Sequence, residues 1–323
     1  MVKGNTCVSC VLLALLALFS VPGQGESPEP PRLCVDSDCP PDTDGASSRV
    51  DVALTFEDRP AGTLPKEQKF DAEVATKQQY HVHPNSNGTV QIINDSFQAC
   101  NGSKFLRSRM VGNQRRAMIV LNQPVTGGDL RAKETGWTSN RPDRWMGMCI
   151  RLASNFPYPS QGWMNVWATH NYGWLGEPVG CGPCIGLRAG SSGTGLPNGT
   201  TNWILKFEGD NNRSIDTGRD YNQDRGRWVS LVVHWVAGSE PHGRLKVWID
   251  GEQVFDDVHH GGSVSTFSDA NQYFAYEQQG LYNTYCDSNY CSEQMVDYDD
   301  IRYADGAVMS ESEGYAAVNP ENY

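Results

Sequence analysis

The sequence predicts an all-β chain built from antiparallel strands, and three observations carry that reading. Between residues 226 and 256, Val229, Leu231, Val233 and Trp235 alternate with Ser230, Val232 and His234. A second run puts Leu245, Val247 and Ile249 on one face and Lys246 and Trp248 on the other. Period-2 alternation is the mark of a strand with one buried face. Asp250-Gly251 then tolerates positive φ at both turn positions, so a tight hairpin to Glu252–Phe255 is expected. Three antiparallel strands in so short a stretch leave no room for βαβ crossovers.

The chain has 323 residues, enough for one large β domain with extensions. Residues 1–25 read as a secretory signal peptide. Lys3 precedes the apolar run Val11–Phe19, which is too short to span a bilayer, and Pro22-Gly-Gln-Gly25 follows. With Cys7 and Cys10 removed, an even number of cysteines remains, as suits an oxidising compartment. Asn-x-Ser/Thr sequons begin at Asn87, Asn94, Asn101, Asn198 and Asn212, consistent with a secreted glycoprotein. Net charge is −12, yet Cys100–Arg151 holds ten Lys/Arg against three Asp/Glu. That segment is either an ordinary solvated face or a basic groove for an anionic polymer.

Taken in order, residues 26–48 are rich in Pro, Asp and Ser and read as a linker, with Cys34 and Cys39 able to close a small loop. Residues 49–308 are expected to form the β domain, beginning with the alternating Val50–Phe56, and 309–323 a loose C-terminal tail. His81 and His83 share a strand face. They are either metal ligands or, more commonly, exposed histidines beside the turn Pro84–Gly88. Arg107 and Arg109, two apart in Gly102–Arg109, leave one face of a strand, and Arg115 and Arg116 follow. Planar guanidinium forks suit carboxylate and sulfate. Cys181-Gly-Pro-Cys184 matches a thioredoxin-type redox motif, but the glycine-rich residues behind it cannot make the acidifying helix. Cys181, Cys184, Cys286 and Cys291 could also be drawn as a zinc site, and disulfides are the expectation for a secreted chain. Cys286 is expected to pair with Cys291, and Cys181 with Cys184 or with Cys149 or Cys100. The acidic groups Asp287–Asn289 and Asp297–Asp300 are either oxygen ligands for a structural calcium or solvated turns.

Three stretches resemble polysaccharide lyases of the concanavalin-like jelly-roll type, the heparin lyase I and glucuronan lyase group. They are Gly243–Asp256 (GRLKVWIDGEQVFD), Arg144–Leu152 followed by Gly162–His170, and Gln278-Gln-Gly-Leu-Tyr282. The resemblance spans roughly residues 50 to 305 in order. It implies a β-jelly-roll sandwich of two antiparallel sheets whose concave face forms a cleft. It also implies cleft residues at His170 and Tyr282, and substrate-binding arginine at Arg107 and Arg109. Gln278 stands where that group carries lysine, which points away from heparin and towards a glucuronan-like polyuronate, with a glycosaminoglycan second.

Lyase chemistry needs a base for the C5 proton, a neutraliser for the C6 carboxylate and an acid for O4. His170 and Tyr282 are the expected catalytic residues, with Arg107, Arg109, Gln278, Tyr285 and Asn165 as substrate binders. Alternation alone sets His170 with Met164, Val166 and Ala168, opposite Asn165, Trp167 and Thr169. No cofactor is required, and the expected partner is an anionic polysaccharide rather than nucleic acid or membrane, bound by a monomer. A jelly-roll glycoside hydrolase would need two carboxylates flanking the bond, usually on an E-x-D-x-x-E strand, and nothing here matches. A non-catalytic lectin-like sandwich is the rival, since the many Trp and Tyr could supply stacking platforms.

Overall fold

The computed structural model describes residues 50–66, 68, 70–71, 79–83, 85–121, 143–157, 164–173, 185–190, 201–207, 213–236, 244–256, 273–283, 293–306 and 309–322. The first half of the strands comprises β1 (Val50–Leu54), β2 (Gly62–Thr63), β3 (Phe70–Asp71), β4 (Gln79–Val82), β5 (Thr89–Asn94), β6 (Lys104–Met110), β7 (Arg116–Leu121) and β8 (Asp143–Leu152). β9 (Met164–Gly173), β10 (Ile185–Ala189), β11 (Asn202–Phe207), β12 (Arg213–Asp220), β13 (Val229–Val236), β14 (Arg244–Ile249), β15 (Glu252–Asp256), β16 (Tyr273–Asn283) and β17 (Gln294–Asp305) follow.

Two antiparallel sheets result. The first runs β15-β14-β13-β8-β17-β6-β5-β2, with β1 also on β17; the second runs β12-β11-β10-β9-β16-β7-β4-β3. This is the β-sandwich jelly roll expected from the sequence. Alternate residues of both sheets meet in one core, among them Leu106, Met148, Leu231, Val233, Trp235 and Tyr303 from the first and Tyr80, Ile119, Val166, Trp167, Leu205 and Leu281 from the second. The Asp250-Gly251 hairpin forms as its residue types require, with φ of 49° and 74°.

The expectation of a loose tail is corrected. Glu311–Val318 is a helix, α1, started by a capping box in which the Ser310 hydroxyl takes the Glu313 N–H and the Glu313 side chain takes the Ser310 N–H. The helix has an apolar surface to cover. Trp145, Val232 and Trp248 point away from the main core and close on Val318, with Tyr315 and Ala317 alongside. Contact is so tight that a Cβ on Gly147 would fall 1.9 Å from the Val318 carbonyl oxygen. The compact unit accordingly runs from Ser48 to Tyr323, past the boundary expected at 308.

The cysteine pairing also needs correcting. Cys100 is bonded to Cys149, with Cα atoms 6.4 Å apart, so neither is a partner for Cys181. Cys181, Cys184, Cys286 and Cys291 lie outside the described residues, as do Cys34, Cys39 and the signal and linker segments. The loop at Cys100 is further tied to β17. Asp299 Oδ2 accepts the N–H groups of Cys100 and Asn101, and the Asn101 amide donates to Asp300 Oδ2 and the Pro320 carbonyl. Asn101 Nδ2 is therefore committed inside the fold, contrary to its reading as a sequon. Asp297 is shared by Arg107 and Arg151, and Asp300 also takes Arg302. The carboxylates considered for calcium at 297–300 thus face protein donors, and Asp287–Asn289 lies outside the described residues.

Candidate active site

The second sheet turns its other face away from the core, and register fixes what stands there. Leu281, Ala117 and Ile119 point inwards, so Arg116, Met118 and Val120 of β7 and Gln278, Gly280 and Tyr282 of β16 point outwards. Strands lie about 4.8 Å apart, so cross-strand partners on one face are in reach of each other. One row reads Arg116–Tyr282–Asn165–Arg188 across β7, β16, β9 and β10. A parallel row reads His81–Val120–Gln278–Ala168–Gly186.

Two irregularities make the first row possible. β9 bulges at Val166–Trp167, and β16 at Gly280–Leu281. An extra residue in a strand inverts the alternation beyond it. Val166 and Trp167 consequently both enter the core, and Asn165 falls on the same face as Ala168. The alternation expected for this strand, with Asn165 and Ala168 on opposite faces, is corrected by that bulge. Gly280 has φ 142°, and a Cβ there would lie 2.3 Å from the Ala117 carbonyl oxygen, so only glycine fits. From the core side, Tyr298 Oη donates to the Val166 carbonyl at 2.6 Å and Gln279 Nε2 to Tyr303 Oη at 2.8 Å. Both bonds tie the irregular stretch to the first sheet.

Tyr282 is the centre of the arrangement. Arg116 Nη2 donates to its Oη at 2.8 Å, and the guanidinium carbon lies 4.2 Å from the ring centroid. Asn85, Asn87, Arg115, Arg116 and Tyr282 line an open cleft of about 340 Å³. The turn before β5 builds its wall: Asn87 and Gly88 N–H donate to the Arg116 carbonyl, while Asn87 Oδ1 accepts from Arg115 and Arg116 N–H. A guanidinium N–H at the phenol oxygen stabilises charge as it develops there during proton transfer.

His81 and His83 are buried against this site, not exposed beside a turn. His83 Nδ1 accepts the Asn85 N–H at 3.0 Å, which puts the ring proton on Nε2. Burial, the Arg116 charge and His81 push the His83 pKa down to about 4, so the imidazole is neutral at physiological pH. Asn165 and Arg188, 2% and 1% exposed, are joined by Arg188 Nε donating to Asn165 Oδ1 at 2.7 Å. Asn165 Nδ2 is buried without a hydrogen-bond partner among the described residues.

Of the residues read from the sequence, Tyr282, Gln278 and Asn165 share the outer face of the second sheet, with Asn165 directly across from Tyr282. The backbone of His170 pairs with Tyr276 two positions beyond the Ala168–Gln278 pair, and its side chain lies outside the description. Tyr285 lies outside the described residues. Arg107 and Arg109 are not brought to this cleft. β6 belongs to the first sheet, where Arg107 grips Asp297 with Nε and Nη2 at 2.7 and 3.0 Å and Arg109 pairs with Glu293. Arg151 shares Asp297 and lies over Phe105 and Trp228. Among its described residues the basic segment is thus divided between two sheets, and there only Arg115 and Arg116 line the cleft.

Sequence reasoning passed over Arg188, and it read His83 only as a metal ligand or an exposed histidine and Asn87 only as a sequon. Arg188 did carry a signal, being the one charged residue in the strand pattern Ile185-Gly-Leu-Arg-Ala189. Nothing local in the sequence marked Asn87 as a wall of the cleft.

No curated protein sequence matches the chain. Among solved structures, an endo-β-1,4-glucuronan lyase from the fungus Trichoderma reesei is 15% identical, covering 75% of this chain and 94% of its own, with TM-score 0.47. An alginate lyase variant in complex with an alginate trisaccharide is 13% identical, covering 79% and 99%, with TM-score 0.47. The binding domain of botulinum neurotoxin serotype D is 12% identical, covering 84% and 51%, with TM-score 0.45. The family assignment rests instead on sequence: the model described as polysaccharide lyase matches residues 62–302, which contain every strand of the cleft face from β4 to β16. The chain belongs to the polysaccharide lyase family, and its activity is that of a polysaccharide lyase.

Proposed function

We propose that the chain cleaves a uronic-acid polysaccharide by β-elimination at the row Arg116–Tyr282–Asn165. The observation that carries this reading is the Arg116–Tyr282 pair, a phenol held by a guanidinium at 2.8 Å on the wall of an open cleft. In the reaction the C5 proton leaves to a base, the electron pair forms the C4–C5 double bond, and the C4–O4 bond breaks. O4 then receives a proton. Tyr282 is the proton-transfer group, and Arg116 steadies charge on its oxygen. Donors at the C6 carboxylate stabilise the dianion that builds up as C5 loses its proton. Asn165 stands across from Tyr282 on the neighbouring strand and Gln278 four residues before it on the same face of β16, and both side-chain amides can supply such donors. His83, with its proton on Nε2, is suited to donate rather than to take the C5 proton.

A β-linked polyglucuronate is the first choice of substrate and a glycosaminoglycan the second, since Gln278 supplies an amide in place of a lysine charge. The apolar segment Val11–Phe19 supports export to an extracellular polymer.

Elimination leaves a 4,5-unsaturated uronate that absorbs in the ultraviolet. Incubation with a panel of polyuronates should produce that absorbance, and Tyr282→Phe should reduce it by about 10²- to 10⁴-fold, the span of a lost proton-transfer group. Full activity in Tyr282→Phe would remove Tyr282 from the chemistry. Binding without absorbance on any uronate would leave the β-elimination reading without support.

A further inference from the structure

We infer that Arg188 is a positioning residue for the reaction: it fixes the Asn165 amide so that nitrogen, not oxygen, is presented to the uronate carboxylate. The inference rests on the lyase site proposed around Tyr282 and Arg116. A guanidinium has only donors, so the Asn165 atom 2.7 Å from Arg188 Nε must be the oxygen. With Oδ1 claimed, Nδ2 has to face elsewhere, and the amide loses its freedom to flip.

Nδ2 is buried and meets no acceptor among the described residues. Leaving two amide N–H groups in that state carries their full desolvation penalty, so an acceptor from outside the chain is the natural complement. Asn165 sits directly across from Tyr282, which puts that acceptor beside the proton-transfer group. A uronate carboxylate fits because it only accepts, and because its oxygens gain charge when the adjacent C5 proton leaves. Arg188 stands on the far side of Asn165 from Tyr282, since β9 lies between β10 and β16. It acts through the amide, without touching the reacting atoms. Gly186 lies against the amide: an added Cβ there would make ordinary van der Waals contact with it, 3.4 Å from Oδ1 and 3.5 Å from Nδ2.

The test is steady-state kinetics on a polyuronate that the wild-type chain cleaves. Arg188→Met removes the donor and should lower kcat by on the order of 10²-fold, as a misplaced catalytic contact does, with KM within about threefold. Arg188→Lys can still donate to Oδ1 and should recover most of that loss. Asn165→Asp keeps an acceptor for Arg188 and preserves the fold, but it presents no N–H and should lose at least as much kcat. In an Asn165→Ala background, Arg188→Met should cost no more than about twofold further, because the group it positions is gone. Equal losses with and without the Asn165 amide would overturn the inference and leave the lyase reading intact. So would an active Asn165→Asp variant, which keeps the test decisive if Arg188→Met does not fold. If the wild-type chain releases no unsaturated uronate, the site reading itself falls and this one with it.

Discussion

Arg116 carries more of the site than any residue singled out by motif. Its Nη2 bonds the phenol, its guanidinium carbon lies over the ring, and its carbonyl anchors the Asn87–Gly88 turn. A lysine could supply the charge but not the flat fork that stacks and donates together. Arg116→Lys should therefore reduce kcat by about 10- to 10²-fold with little change in folding, and Arg116→Ala by more. A Lys variant at full kcat would show that charge alone suffices. Arg116 was visible in the sequence only as a basic residue following the Arg107 and Arg109 pair. Its role came from its register opposite Tyr282, a long-range fact. Tyr282 itself was legible, because Gln278-Gln-Gly-Leu-Tyr282 carries its own glycine and alternation.

At the scale of elements, legibility followed locality. The β13–β14–β15 meander could be read because the alternation and the Asp-Gly turn lie within one segment. The β9 bulge could not, because nothing in Asn165-Val-Trp167 distinguishes one extra residue from strict alternation, and the strand's face assignment changed with it. The helix α1 left signals that went unused. Ser310 and Glu313 have capping-box spacing, and Val232 and Trp248 are apolar on a face that otherwise had no cover. For Arg107 and Arg109 the shared face was right, but which sheet holds a strand is decided by pairing across the whole domain. The paired bulges are also where an element controls chemistry. Gly280→Ala would force a Cβ to within 2.4 Å of Met118 Cα, so β7 and β16 must part at the residue pair next to Arg116–Tyr282. The expected result is a stability loss of about 1–3 kcal/mol together with a drop in kcat. Thermal unfolding and kinetics on the same preparation check it; loss of neither would mean the strands yield without moving Tyr282.

For the molecule as a whole, two buried groups pull stability in opposite directions over the same pH range. His83 has its pKa pushed down to about 4, from an ordinary 6.5, by burial and then by Arg116 and His81. The unfolded chain therefore takes up that proton first, and the contribution of neutral His83 is present above pH 6.5 and lost as pH falls towards 4. Burial pushes Asp299 up to about 7, against the pull of the Asn101, Asp300 and Cys100 N–H groups. Here the folded chain holds the proton longer, so the contribution is present below the ordinary carboxylate value of 3.8 and lost as pH rises through 7. Glu57 and Asp224, shifted down from 4.5 and 3.8, add slope only at the acid end of that range and below it. Between about pH 4 and 6.5 the His83 and Asp299 slopes have opposite sign and each approaches about 1.4 kcal/mol per pH unit, so the wild-type chain should be nearly indifferent to pH there. The variants separate the two effects. His83→Gln should become less stable as pH rises across the window, and Asp299→Asn should become more stable, whatever each costs at a single pH. Denaturant unfolding at half-unit steps measures both slopes. A flat profile in His83→Gln would show that Asp299 ionises freely in the folded protein, and a flat profile in Asp299→Asn would show the same of His83.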